Sequence, residues 1–187
     1  DDGIVSTASL MIGIVAAHGG RSAVLTAGLA GLAAGAMAMA AGEYVSVAAQ
    51  RDTERADLVR EREELATSPE MELRELALIY ERRGLAPGLA VEVAQQLSAH
   101  DALGAHARDE LGLIVGSGAR PIQAAVASAL AFVTGAVLPI IALLVAPAST
   151  RTVAIVVTAL IGLAALGTLG AVAGGAGWRR ATARVIA

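Results

Sequence analysis

The sequence predicts an all-α, polytopic membrane protein, four transmembrane helices with an acidic helical domain inserted between the second and the third. Apolar residues make up 56% of the 187 and charged residues 17%, and mean hydropathy is strongly positive, a balance that a soluble domain with its charged surface rarely shows. Charge also vanishes for stretches of about 20 residues, the length that crosses roughly 30 Å of hydrocarbon at 1.5 Å per residue. No stretch alternates apolar and polar residues as a strand would.

The first apolar tract, Gly3 to Ala17, is short and follows Asp1 and Asp2. It is expected to be a transmembrane helix that begins at or before residue 1; a signal peptide is the competing reading, but it would need a basic flank where this one is acidic. The second tract, Ser22 to Gly42, runs without a Pro into EYVSVAAQRDTERADLVREREELATSPEMELRE, Glu43 to Glu75. One long helix leaving a bilayer fits that change of solvent. Ala66-Thr67-Ser68-Pro69 ends it, and Ser68 can cap a second helix with Pro69 in its first position.

Met71, Leu73, Leu76, Ile79 and Tyr80 give that second helix an apolar stripe as far as Gly84. A third helix opens at Pro87 and runs to about Ala99, burying Val91, Val93, Ala94 and Leu97, and a short one covers Asp101 to Leu111. Pro121 to Ala146 and Thr152 to Gly177 supply the remaining spans. The expected division is therefore residues 1–50 (two spans), 51–112 (the acidic helical domain) and 113–187 (two spans and the start of a fifth).

All fourteen basic residues are Arg, and Cys is absent, which removes disulfides and thiolate metal sites. From Arg51 to Gly112 fourteen acids face eight Arg, a formal charge of about −6. That balance argues against a nucleic-acid partner and for a cation. Four spans from Gly3 put Arg21 and Arg151 on one side and the acidic segment, Arg120, Arg179, Arg180 and Arg184 on the other, so the positive-inside rule places the acidic domain in the cytosol. Small residues such as Gly31 and Gly35, a GxxxG pair, favour tight helix packing or dimerisation.

On the long helix Met39, Glu43, Val47, Gln50, Glu54, Asp57, Glu61 and Glu64 fall three or four residues apart and share one face. Cations can be handed along such a stripe; the alternative is a solvated face partnered by Arg51, Arg55, Arg60 and Arg62. Glu61 and Glu64 form an i, i+3 pair, and so do Glu72 and Glu75 beyond the Pro69 turn, which folds the second pair toward the first. Four converging carboxylates repel one another unless divalent cations neutralise them. Oxygen ligands without Cys suit Mg, Ca, Mn and Fe(II). Asp2, a carboxylate at the head of an apolar tract, needs water, a partner or an ion. No nucleophile–base constellation for an enzyme is visible.

DGIVST at Asp2 to Thr7, GAMAMAAGEYVSVAAQRDTERAD at Gly35 to Asp57, P-E-x-E-x-x-E-L at Pro69 to Leu76, IYERRGL at Ile79 to Leu85 and DELGL ending at Leu113 together resemble the vacuolar iron transporter family. The resemblance runs in order over nearly the whole chain. It implies five spans, a homodimer, a cytosolic helical metal-binding domain and proton-coupled export of Fe2+ or Mn2+, with the metal as cargo and no cofactor. It further implies that Asp2 and Met39, with Glu43 nearby, line the translocation path. Glu61, Glu64, Glu72, Glu75 and Glu110 match the glutamates of the cytosolic metal site. His106 stands where the family has a Met one turn before the last Glu, and Asp109 is a weaker match to a further acid. Against that pattern the chain looks truncated at both ends, within the first helix and at Trp178, where a fifth should start. The resulting expectation is a multi-pass transporter of divalent metal, in the cell membrane if bacterial; a membrane-anchored metal-binding or buffering protein without transport is the alternative.

Overall fold

The computed structural model describes residues 1–114, 116, 118–175 and 177. The described residues form helices and turns: α1 Asp2–Ala16, α2 Arg21–Thr67, α3 Pro69–Arg82, α4 Pro87–Asp109, α5 Pro121–Val145 and α6 Arg151–Ala173, the last preceded by a 3-10 turn at Ala148–Thr150. The expected start of a fifth span, from Trp178, and the Arg179, Arg180 and Arg184 cluster lie outside the described residues. The chain divides into two units, one of Asp1–Tyr44 with Ile122–Ala187 and one of Val45–Pro121. Helix α2 contributes to both.

In the first unit α2, α5 and the run Ala148–Ala173 are each long and apolar enough to cross a membrane. Four spans were expected. The first of them, α1, is helical over 15 residues, about 22 Å, and ends where the chain turns before His18, whose φ is +61°. Its Gly3, Ile4, Thr7, Ala8 and Met11 are buried at helical spacing. They face a core completed by Val24 of α2, Ile140 and Leu143 of α5 and Ile155, Ala159 and Leu163 of α6. At the end of α5, whose last carbonyls have no partner within the helix, the Arg21 guanidinium donates to the Leu144 carbonyl.

The glycines of α2 work inside this unit. A Cβ at Gly35 would overlap the ring of Phe132 on α5, and one at Gly31 would press on Leu10 of α1. The GxxxG pair that the sequence offers as a dimerisation face is thus used for packing within the chain.

In the second unit α3 and α4 pack as a helical pair. Leu76, Ala77 and Tyr80 of α3 meet Ala90, Ala94 and Ala105 of α4, with Leu73, Leu85, Val93 and Leu97 at the margin. Pro69 starts α3 as expected, but the Ser68 side chain makes no capping bond; the Ser68 carbonyl instead accepts from the Met71 and Glu72 amides. Gly84, with φ +102°, ends the α3 turn in a conformation that a side chain would strain. Within α4 the helix breaks at Asp101 (φ −159°, ψ 86°). There the Asp101 carboxylate accepts from the Gly104 amide at 2.9 Å, an N-cap that restarts the helix. A Cβ at residue 104 would run into that carboxylate.

Candidate metal centre

Four side chains from three helices of the second unit converge: Glu61 of α2, Glu72 of α3, His106 of α4 and Glu110 at its end. One ligand atom from each lies within 4.8 Å of all the others. A cation bonded at about 2.1–2.3 Å sets opposite donors about 4.2–4.6 Å apart, so slight contraction closes the cluster around one ion. His106 Nδ1 is the hub, 2.9 Å from Glu61 Oε1, 2.9 Å from Glu110 Oε2 and 3.9 Å from Glu72 Oε2.

Local structure explains why these side chains turn inward. Glu72 sits in the first turn of α3, one helical turn before Leu76 and on the same buried face. His106 follows Ala105 in the α3–α4 core and is fully buried. Glu110 lies one turn beyond His106, and its Oε2, 2.9 Å from Nδ1, accepts from the ring in the tautomer that carries the proton on Nδ1.

The electrostatics favour a cation. Burial, then the carboxylates of Glu110, Glu72 and Glu64, push the Glu61 carboxyl up from 4.5 to about 7, against the lowering influence of His106. Burial and the Glu75 charge likewise push Glu72 upward. Glu61 Oε1 is buried without a hydrogen-bond partner, its approach to His106 lacking the required angle, and His106 Nε2 is buried without one too. A carboxylate that is desolvated and left unsatisfied is a strong ligand once an ion arrives. Three carboxylates with one imidazole form a mixed oxygen–nitrogen set, suited to Mn(II) through the former and to Fe(II) or Zn through the latter.

The other candidate residues are placed differently. Glu64 and Glu75 are exposed and lie outside the group of four, acting on it through charge. Glu61 and Glu64 differ by only about 60° around the helix, yet Glu61 is buried and Glu64 exposed. Asp109 is also outside the group. Its Oδ2 accepts from the Tyr80 hydroxyl at 2.6 Å, its Oδ1 pairs with Arg83, and its carbonyl accepts from Arg83 Nη2 at 3.1 Å. Burial raises the Asp109 carboxyl, but these two partners outweigh it and hold it below the usual range; burial and Asp109 push the Tyr80 hydroxyl up to about 12. The sequence marks Tyr80 only as a core residue and leaves Arg83 without a role, although the two lie three residues apart at the end of α3, where Arg83 is the C-cap.

Asp2, Met39 and Glu43 belong to the first unit. Asp2 Oδ1 accepts from Ser6 Oγ at 2.7 Å, Met39 is 37% exposed and Glu43 is partly buried. Along α2 the stripe residues Glu43, Val47, Glu54 and Asp57 are partly buried and Glu61 fully, whereas Met39, Gln50 and Glu64 are exposed. Some of its polar groups are satisfied locally, Glu54 accepting from Gln50 Nε2 at 2.8 Å and from the Ala119 amide at 3.4 Å.

The described residues thus form an all-helical structure with bilayer-length apolar helices, as in a membrane protein, and a buried carboxylate–imidazole cluster. Residues 1–187 match the model of the VIT family, and the chain belongs to that family. It is 48% identical over 163 residues to the vacuolar iron transporter of Acanthamoeba castellanii, a match covering 87% of this chain and 62% of that protein. Identity to vacuolar iron transporter homolog 1 of Oryza sativa subsp. japonica is 37% over 187 residues, 100% of this chain and 62% of the relative. Vacuolar iron transporter 1 of Arabidopsis thaliana is 34% identical over 165 residues, 87% and 66% of the two chains. The chain thus spans less than two thirds of the length of the first two relatives. All three are named as transporters or their homologues, not as enzymes.

Proposed function

We propose that the chain serves a divalent metal transporter that takes Fe2+ or Mn2+ from the cytosol and exports it in exchange for protons. The observation that supports this reading best is the convergence of Glu61, Glu72, His106 and Glu110, with a buried, unsatisfied oxygen on Glu61. In this reading the exposed Glu64 and Glu75 raise the local negative potential and draw cations to the site. Glu61, whose carboxyl titrates near neutrality, gives up its proton as the metal binds, which couples metal occupancy to proton concentration. Metal then passes along α2 by Glu43 toward Met39 and Asp2. The acidic unit faces the cytosol, the membrane is the cell membrane if the chain is bacterial, and the working form is a homodimer.

Reconstitution tests the reading. Full-length protein in proteoliposomes carrying a pH gradient should move Mn2+, with counter-movement of protons, and Glu61→Ala/Glu72→Ala should lose that flux. Metal binding without flux would overturn transport and leave a membrane-anchored metal-binding protein.

A further inference from the structure

The four-ligand group draws two of its members, His106 and Glu110, from the short final stretch of α4. That stretch restarts at the Asp101 cap and ends at Asp109, about two turns later. A two-turn helix is marginal in water by itself, and its order must come from what it is fastened to. Ala105 packs into the α3–α4 core. Apart from the 3.9 Å approach of His106 to Glu72 inside the ligand group, the polar fastening of this stretch to α3 among the described residues is at Asp109, between the two ligands.

That fastening is three-sided. The Tyr80 hydroxyl donates to Asp109 Oδ2 at 2.6 Å, Arg83 Nη1 pairs with Oδ1, and Arg83 Nη2 donates to the Asp109 carbonyl at 3.1 Å. Arg83 in turn lies over the Tyr80 ring, 5.5 Å from its centre, and the Tyr80 ring is itself in the core. Both carboxylate oxygens of Asp109 are therefore engaged away from the metal ligands. Tyr80 stands eight residues beyond Glu72 on α3, about 12 Å along the axis, so the clasp ties the helix that carries Glu72 to the segment that carries His106 and Glu110.

We propose that Tyr80, Arg83 and Asp109 form a positioning clasp that sets His106 and Glu110 against Glu61 and Glu72, and that Asp109 acts on the metal through them rather than as a ligand. The clasp rests on the metal-binding reading above. Groups that orient ligands from behind typically contribute about 10–100-fold in metal affinity. Removing one hydroxyl from the clasp belongs at the lower end of that range.

Full-length protein in detergent, titrated with Mn2+ and separately with Co2+, tests the assignment. Tyr80→Phe keeps the ring in the core and deletes only the donor. It should weaken affinity for both ions about tenfold and change the visible Co2+ spectrum, because the His106 nitrogen shifts from its place in the coordination sphere. Asp109→Asn should do the same. A purely structural role would lower the melting temperature and leave the Kd and the spectrum of folded protein unchanged, and that result overturns the clasp. So does loss of affinity in Asp109→Asn with Tyr80→Phe unaffected, since Asp109 would then be a ligand. Failure of the wild-type chain to bind either ion would overturn the metal reading itself, and the clasp with it.

Discussion

His106 Nδ1 lies 2.9 Å from Glu61 Oε1, and neither residue exposes more than 2% of its surface. Such proximity without hydrogen-bond geometry on the carboxylate oxygen leaves the pair poorly satisfied while no cation is bound. Desolvation disfavours the charge on Glu61, and the neighbouring carboxylates disfavour it further. The same features that strain the pair make it a good site for a divalent ion.

Glu61→Gln separates these two roles. The amide keeps the size and one acceptor oxygen but removes the buried charge. The metal-free variant should melt higher than wild type at pH 8, whereas its affinity for Mn2+ should fall at least about tenfold, as for loss of a charged ligand. Thermal melts with and without Mn2+ measure both. Equal Mn2+-induced shifts in the two proteins would remove Glu61 from the ligand set.

Stability without metal should depend on pH in a direction opposite to that of a paired carboxylate. Folding raises the Glu61 value from 4.5 to about 7, so between those values the folded state holds a proton that the unfolded state has released. The stability linked to this proton is complete below pH 4.5, declines across pH 4.5–7 and is lost above 7, with an upper bound of about 3 kcal/mol. Glu72 adds in the same direction. Asp109, whose value is lowered, contributes the reverse: stability present above its ordinary 3.8 and lost in more acidic solution. Denaturant titrations from pH 5 to 8 should show the decline in wild type and a flatter profile in Glu61→Gln. Saturating Mn2+ should invert the slope, because the ion competes with the proton.

Much of this was legible in the sequence where one local signal decides the outcome. Pro69 and Pro87 open helices, Gly84 closes one, and Asp101 interrupts α4, as the capping chemistry of these residues requires. Periodicity also placed Glu61 with Glu64 and Glu72 with Glu75, but spacing fixes only the angle between two side chains. Which of each pair turns inward depends on where Leu76 and Ala105 find their core. The burial of His106 has the same origin, since one-turn spacing from Glu110 says nothing of the α3–α4 interface that covers it. Gly31 and Gly35 show the limit most clearly. Small residues announce a close approach, but the neighbour at Gly35 is Phe132, the single Phe of the chain, and no short-range pattern joins the two.

Gly35→Leu should therefore act on folding rather than on oligomeric state. The added side chain would overlap the Phe132 ring, and overpacking of this kind costs about 1–3 kcal/mol. Thermal denaturation in detergent should show the loss, with unchanged mass by light scattering. Phe132→Ala in the same chain makes room and should recover part of the stability, so that the two substitutions are non-additive. A shift in mass toward a smaller species, with no change in melting temperature, would return Gly35 to a contact between copies.

Asp2 and Met39 carry the most demanding expectation, because they belong to the unit that does not contain the metal cluster. If metal leaves the cluster by way of α2, both residues should be needed for flux and neither for capture. A carboxylate at the head of an apolar helix needs water, a partner or an ion, and the one local partner seen for Asp2, the Ser6 hydroxyl at 2.7 Å, does not neutralise its charge. Asp2→Ala and Met39→Ala should each reduce Mn2+ efflux from proteoliposomes to below about a tenth of wild type, while calorimetry on the same preparations gives an unchanged Mn2+ affinity. Asp2→Asn sharpens the test, since the amide keeps the shape and the bond from Ser6 but cannot carry a proton. Proton-coupled flux that survives in Asp2→Asn would mean that Asp2 serves structure alone. Coupling would then fall to Glu43, the only acid on α2 before Val45, and Glu43→Gln should abolish proton counter-movement where Asp2→Asn did not.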